Sequence, residues 1–226
     1  MKKSLFRILT SIITLIGLFC NCEQTDEEYR YPSVLTDFVC LTTNGSGEIV
    51  QMCLDDKRTY PVNFADEYLE VYKHEPTYKA DTTYRVISVY ELIPTMGEIT
   101  ANIYSIGHIA SAIPIPLPDD KTLYQAPVYL QSIWMSGGYL NFVLEVKALD
   151  GSKHSIYYID TTPEGMNGKE FTFYHHVDND VESYRQKVYG SIPLAPFSEN
   201  LQQGDTLRFV VNTHDNGLQQ HSFEIE

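Results

Sequence analysis

The stretch Gln131-Ser132-Ile133-Trp134-Met135-Ser136-Gly137-Gly138-Tyr139-Leu140-Asn141 contains the only tryptophan of the chain and a Gly-Gly pair between two alternating apolar runs. Alternation with a period of two, interrupted by glycine, predicts a β-hairpin. Before the glycines, one strand face is predicted to carry Val128, Leu130, Ser132 and Trp134. After them, a second face carries Leu140, Phe142, Leu144, Val146 and Ala148. One face of the hairpin is therefore expected to be buried and the other to face solvent.

The sequence leaves the register of this hairpin open. A two-residue Gly137-Gly138 loop sets Met135 opposite Leu140. A loop one residue longer sets Trp134 opposite Phe142, which suits the predicted buried faces better and makes Trp134 part of the core. A second turn at Asp150-Gly151 predicts a three-stranded meander with residues 154–160.

Further strands are predicted downstream at residues 170–177, 184–194, 206–212 and 218–225, the last two joined by Asp215-Asn216-Gly217. Asn-Gly between alternating runs is a strong hairpin signal. Seven strands within about 100 residues, without a helical period, predict a β-sandwich of immunoglobulin-like size at residues 125–226.

The N-terminal half predicts five short strands, at residues 34–43, 48–54, 59–62, 81–92 and 98–106. Along the longest, Tyr84, Val86, Ser88 and Tyr90 alternate with the opposite face. Five such strands with a polar connection at 63–80 favour a small OB-type barrel at residues 33–112, and a small open sandwich is the competing interpretation. The chain is thus predicted to be all-β, with a Pro-rich connector at 113–124, where alternate prolines disfavour a ladder.

The N-terminal segment predicts that the protein is exported from the cytoplasm. Lys2, Lys3 and Arg7 precede an apolar run that is too short for a membrane span but is typical of a signal peptide, assigned to residues 1–21. An acidic tether follows at 22–32. The pattern is typical of a bacterial lipoprotein signal, with Cys22 as the lipidated residue and Cys20 as the alternative; secretion without a lipid is the other interpretation. We therefore expect a lipid-anchored protein of the cell envelope.

The net charge of the chain limits the classes of partner that we expect. The chain has 16 basic and 30 acidic residues. Removal of the three basic residues of the leader leaves 13 basic residues, a formal net charge of −17. Nucleic acid is therefore not an expected partner, and attachment to a membrane is expected through the lipid alone.

Cys40 and Cys53 lie on the two arms of a predicted hairpin around Asn44-Gly45-Ser46-Gly47. A two-residue loop at Ser46-Gly47 sets the cysteines opposite each other and allows a disulfide, whereas a four-residue loop places Cys40 opposite Gln51. Two small buried thiols are the other interpretation.

Three segments together resemble a known family: Ser132 to Asn141, Tyr174-His175-His176 leading to Asp180-Val181-Glu182, and Val211 to Gly217. They are similar to the NigD-like family of bacterial lipoproteins, as are the Tyr31-Pro32-Ser33-Val34 opening and the strand from Asp81. The resemblance covers essentially the whole mature chain. It implies an N-terminal OB domain, a C-terminal β-sandwich and an outer-envelope location, and it brings no catalytic residues.

Candidate sites are few. Asp178, Asp180 and Glu182 are candidate Ca²⁺ ligands, although the glycine and the distal glutamate of an EF-type loop are absent and a solvated acidic turn is the favoured interpretation. His175 and His176 are neighbours on a strand and should point to opposite faces, and HExxH and paired CxxC motifs are absent, which disfavours zinc. Tyrosines of the barrel are candidate binding residues for a glycan or a protein: Tyr68, Tyr72, Tyr78, Tyr84 and Tyr90.

The sequence therefore predicts a protein that acts by binding, as an accessory or immunity-type partner of another envelope or secreted component, without a cofactor. It contains no catalytic motif, and we expect it not to be an enzyme. An envelope hydrolase acting on glycan or peptide is the first alternative, and it requires a cleft with converging carboxylates or a Ser/His pair. A structural spacer is the second alternative.

Overall fold

The structure is a computed structural model that describes residues 33–65, 78–119, 121–148, 153–178 and 184–226. Residues Val34–Glu226 form one compact unit. The predicted signal peptide and tether lie outside the described residues. Among the residues described, no helix is long and apolar enough to cross a membrane.

The N-terminal strands close into a five-stranded barrel in the order β1-β2-β3-β5-β4, and β4 pairs with β1. All neighbours are antiparallel except β3 and β5, which are parallel. The barrel confirms the predicted OB-type domain. Its strands are β1 (Leu35–Thr43), β2 (Ile49–Cys53), β3 (Thr59–Phe64), β4 (Thr83–Thr95) and β5 (Glu98–His108).

Alternation along β4 determines which side chains fill the barrel. Val86, Ser88 and Tyr90 are buried inside it and Tyr84 packs against them, as predicted. Arg85 lies on the opposite face and points away from the barrel axis, yet it is also buried. The buried apolar core consists of Val39, Leu41, Ile49, Met52, Tyr60, Val86, Tyr90, Ala101 and Ile103.

The C-terminal strands form two sheets, one in the order β14-β13-β11-β10-β7 and the other in the order β6-β12-β9-β8. Phe142 lies fully buried between the sheets, with its ring centroid 5.0 Å from that of Phe209 and 5.9 Å from that of Phe173. All seven predicted strands are present, which confirms the β-sandwich. The strands are β6 (Ala110–Ser111), β7 (Ile115–Pro116), β8 (Tyr129–Ser136), β9 (Tyr139–Ala148), β10 (Lys153–Asp160), β11 (Gly168–Asp178), β12 (Tyr184–Pro193), β13 (Thr206–Thr213) and β14 (Gly217–Glu224), with a 3₁₀ turn at Ala195–Phe197.

The Pro-rich segment contributes one short strand, β7, and the residues just before the segment form another, β6. β6 pairs in parallel with β12, and β7 pairs in parallel with β10. Both short strands lie at sheet edges, where a residue without a backbone N–H is tolerated. Two short strands, one just before the predicted connector at 113–124 and one within it, therefore pair with the edges of the sandwich.

The predicted three-stranded meander is wrong, because β9 and β10 belong to different sheets. β9 is flanked by β8 and β12, so it has no free edge for β10. The chain therefore changes sheets between β9 and β10.

The β8–β9 hairpin adopts the two-residue loop, with Met135 opposite Leu140 and Ser136 opposite Tyr139. The prediction that Trp134 packs in the sandwich core is wrong. A β-bulge at Gln131 reverses the alternation along β8, so that Ile133 and Met135 pack on the core. Trp134 points instead toward the barrel, where its ring centroid lies 5.2 Å from that of Phe38.

Candidate functional site

A buried ion pair lies where the barrel meets the sandwich. Arg85 donates from Nη1 to Asp55 Oδ1 at 2.5 Å and from Nη2 to Asp55 Oδ2 at 3.0 Å. The side chain of Arg85 is 3% exposed and that of Asp55 is 22% exposed. Burial lowers the pKa of Arg85, but the hydrogen bonds and charge of Asp55 outweigh this effect, so the pKa lies above its usual value. The guanidinium therefore stays charged inside the interface.

The sandwich supplies the remaining acceptors for Arg85. Its Nη2 donates to Asn141 Oδ1 at 3.1 Å, and its Nε donates to Ser191 Oγ at 3.3 Å. The Ser191 hydroxyl in turn donates to Asn141 Oδ1 at 2.7 Å. Asn141 and Ser191 are fully buried. A buried charge needs such partners, because an unsatisfied polar group is costly in a low dielectric.

The loop of the β8–β9 hairpin closes this network. Asn141 Nδ2 and Trp134 Nε1 donate to Ser136 Oγ at 3.0 and 3.1 Å, and the Ser136 hydroxyl donates to Asp55 Oδ2. Gly137 has φ +60°, and a Cβ there would lie 2.5 Å from Asp55 Oδ1. Glycine is therefore required at this position by both the backbone and the contact with Asp55.

Aromatic rings cover the guanidinium of Arg85. Its Cζ lies 4.2 Å from the ring centroid of Tyr139 and 5.7 Å from that of Phe38. Burial, together with a hydrogen bond to Cys40, raises the pKa of Tyr139 to about 12. The cluster formed by Asp55, Arg85, Ser136, Asn141 and Ser191 is called here the interface cluster, and it fixes the barrel against the sandwich.

Two clefts flank Trp134. The larger, of about 800 Å³, is called the sandwich cleft and lies beside the β8–β9 loop, the 3₁₀ turn and the end of β14. The smaller, of about 450 Å³, is called the junction cleft and lies between the barrel and the hairpin. Trp134 and Ser136 line both clefts. Because Ser136 belongs to the interface cluster, the cluster also fixes the position of the hairpin segment that separates the two clefts.

The two clefts differ in chemistry. The walls of the sandwich cleft are largely apolar, with Glu224 and Glu226 as its acidic residues; the apolar residues include Ile133, Met135, Leu194, Leu201, Phe223 and Ile225. The junction cleft is lined by three acidic side chains and one basic side chain, namely Asp37, Asp55, Asp56 and Arg58. Its polar lining is largely engaged in internal contacts, which makes the sandwich cleft the better site for an apolar contact.

The predicted tyrosines have distinct positions. Tyr84 accepts a hydrogen bond from the backbone N–H of Lys79 at 2.8 Å and packs edge-on against Tyr78. Tyr90 lines the junction cleft and donates to Asp37 at 2.8 Å. Burial and this carboxylate raise the pKa of Tyr90 well above its usual value. Tyr68 and Tyr72 lie outside the described residues.

A third cleft, of about 370 Å³, is lined by three histidines together with Tyr124 and Lys147. The histidines are His175, His176 and His214. His175 is buried whereas His176 is partly exposed, so their opposite orientation is confirmed. His175 Nδ1 lies 3.0 Å from the carbonyl of Ala126 and donates to it, so Nε2 accepts from His154 Nδ1 at 2.9 Å. Burial lowers the pKa of His175.

The predicted metal ligands are only partly within the described residues. Asp178 is exposed and lies 3.5 Å from His176 Nδ1. Asp180 and Glu182 lie outside the described residues, so calcium stays a prediction. Within the described ranges, no group of three or more His, Cys, Asp or Glu side chains is arranged to hold a metal ion.

The interface cluster was not predicted from the sequence. The polar face of the hairpin was expected to face solvent, but near the loop it packs against the barrel, so Asn141 is buried. Two signals point to this arrangement: an arginine within the apolar alternation of β4, and an asparagine between Leu140 and Phe142. Neither signal identifies its partner without the fold.

Comparisons with known proteins place the chain in a family. Residues 111–225 match the family model described as the NigD-like C-terminal beta sandwich domain. A NigD-like immunity protein from Bacteroides caccae has a similar structure, with a TM-score of 0.68 and 25% identity over 88% of this chain and 100% of the other. None of the curated proteins matches the sequence.

Two more distant structures share the fold. One is a protein from Parabacteroides distasonis provisionally described as toxin-related, with a TM-score of 0.64 and 16% identity over 85% of this chain and 93% of the other. The other is a protein from Bacteroides fragilis provisionally described as a lipoprotein, with a TM-score of 0.56 and 10% identity over 86% of this chain and 98% of the other. At these identities they establish the fold alone. Because the family model covers just over half of the chain, including the seven main strands of the sandwich, the chain belongs to the NigD-like family.

Proposed function

We propose that this chain is a lipid-anchored cell-envelope protein of immunity type, which binds a protein partner through the sandwich cleft. The observation that carries the proposal is an apolar cleft of about 800 Å³ at the end of the sandwich. Apolar concave surfaces of this size are typical of binding sites. The similarity to a NigD-like immunity protein supports the same class of function.

The sheet edges next to the cleft support a protein rather than a small molecule. β8 is the last strand of one sheet and β14 is the last strand of the other, and both contribute residues to the cleft. An edge strand offers backbone donors and acceptors, and an extended segment of a partner can add to it while its apolar side chains enter the cleft.

Charge supports a basic partner. Glu224 and Glu226 lie on the cleft, and the chain as a whole carries a formal net charge of −14. Complementary charge speeds association and orients the partner more than it adds affinity. Binding to the cleft should therefore weaken as the salt concentration rises.

Two alternatives predict different surfaces. A spacer needs no cleft and no large apolar patch, so the apolar sandwich cleft favours binding over this function. A hydrolase needs converging catalytic groups, such as a nucleophile hydrogen-bonded to a base. In the interface cluster, the carboxylate that accepts from Ser136 is Asp55, and Arg85 already binds both of its oxygens, which disfavours Asp55 as a base.

The test is ligand-dependent thermal unfolding of the full chain with panels of basic extended peptides and envelope glycans. A ligand that binds the folded state alone raises the melting temperature by mass action. We expect a rise with basic apolar peptides that disappears in the variant Ser198→Tyr, because Ser198 is an exposed residue on the cleft.

Ser46→Tyr is the matched control, since Ser46 lies exposed in the β1–β2 loop on the barrel. This variant should retain the full rise. A rise with glycans alone, or an equal loss of the rise in both variants, would contradict the proposed site.

A further inference from the structure

The barrel contains two thiols in direct opposition. Cys40 on β1 and Cys53 on β2 are partners in an antiparallel register, as are Leu41 with Met52 and Thr42 with Gln51. A bulge between Thr42 and Thr43 allows a longer loop to keep this register. Opposite residues on antiparallel strands point to the same face, with Cα separations within the range that a disulfide spans.

Both thiols lie on the outer face of the barrel, and that of Cys40 contacts the sandwich. Cys40 Sγ is 3.5 Å from the hydroxyl of Tyr139 and 3.8 Å from Nη1 of Arg85. Cys53 Sγ lies 3.5 Å from the carbonyl of Leu54. Both cysteines are half-buried and free. The pair therefore adjoins the interface cluster.

We propose that Cys40 and Cys53 form a thiol–disulfide exchange site, which closes a reversible cross-strand disulfide when an oxidised protein dithiol or a small-molecule disulfide reaches it. One thiolate attacks a sulfur of the external disulfide, forming a mixed disulfide and releasing one external thiolate. The second cysteine then attacks the mixed disulfide at the first cysteine's sulfur, which releases the second external thiol. Two electrons and two protons leave the cysteines, and the external disulfide is reduced to two thiols.

Closure changes the interface between the domains. A bond to Cys53 should draw Cys40 Sγ away from Tyr139 and Arg85. Arg85 belongs to the interface cluster, and the ring of Tyr139 covers its guanidinium. Burial and the neighbouring Cys40 raise the pKa of Cys53, so exchange should be faster at alkaline pH. The exchange requires no ligand in the sandwich cleft.

The experiment uses the full chain in detergent with Cys20→Ser and Cys22→Ser, so that only the barrel thiols react. After incubation with oxidised glutathione, the intact mass should fall by about 2 Da, without a glutathione adduct, and peptide mapping should link Cys40 to Cys53. Dithiothreitol should restore the original mass. Trp134 emission should differ between the two forms, because the ring borders the interface cluster.

Cys40→Ser and Cys53→Ser are the matched variants, and each should retain one glutathione as a stable mixed disulfide. Two adducts on the parent chain, or a parent chain that does not react while the single variants do, would overturn the exchange site. A linked chain whose Trp134 emission is unchanged would overturn its coupling to the sandwich.

Discussion

Asp55→Asn tests the interface cluster directly, because it removes the negative charge and keeps the shape of the side chain. Breaking a buried ion pair by neutralising one partner costs about 3–5 kcal/mol. The side chain of Asp55 is 22% exposed, and Arg85 keeps its neutral acceptors on Asn141 and Ser191. We therefore expect the lower end of the range, a loss of about 3 kcal/mol in the free energy of unfolding.

The assay is equilibrium unfolding in urea, followed by the emission of Trp134 and by far-UV circular dichroism. Trp134 reports the interface and circular dichroism reports all strands, so coincident transitions indicate that barrel and sandwich unfold together. In Asp55→Asn, the change in Trp134 emission should occur at a lower urea concentration than the change in circular dichroism. The double variant with Arg85→Met should be more stable than Asp55→Asn alone, because no charge is then left unpaired.

Asp56→Asn is the matched control. Asp56 pairs with Arg58 in the same β2–β3 loop, but the two side chains are 49% and 63% exposed. Exposed ion pairs contribute little to stability, so this variant should unfold like the parent. If Asp55→Asn also unfolds like the parent, the interface cluster does not hold the domains together.

Two further predictions concern the sandwich. Gly190→Ala should lower the free energy of unfolding by about 3 kcal/mol in the same urea assay, because its Cβ would lie 2.1 Å from the buried ring of Phe142; a fully stable variant would contradict this packing. The pKa of His175 is lowered by burial, so the unfolded chain binds its proton more tightly and stability should fall as pH drops below about 6.5. Between pH 8 and pH 5, the midpoint of urea unfolding should fall less in His175→Gln than in the parent chain. An identical fall would show that His175 does not cause the loss of stability in acid.

Much of the fold follows from local sequence signals. The alternation along β4 and β9 and the Asn-Gly turn before β14 predict strands and buried faces that the structure contains. Each signal lies within a single strand or turn, where the periodicity of side chains decides orientation. The fold class could therefore be predicted without knowledge of any long-range contact.

The incorrect predictions concern features that long-range contacts determine. A single bulge at Gln131 turns Trp134 from the sandwich core to the barrel, and no local pattern marks that bulge. The change of sheet after β9 depends on β12, which pairs with β9 from more than thirty residues downstream. Asn141 is polar and was expected to be hydrated, but the barrel covers it. These features depend on long-range packing within the sandwich and between the domains, which strand periodicity does not encode.

Site-specific photo-crosslinking in the native cells tests the proposed binding site most directly. A photoreactive residue replaces Ser198 on the sandwich cleft in one variant, and replaces the fully exposed Met96 at the β4–β5 turn in the other. The account predicts a discrete crosslinked protein from position 198 that is lost on addition of a basic apolar peptide, and no such product from position 96. Equal products from both positions, or none from position 198 while position 96 captures a partner, would contradict it.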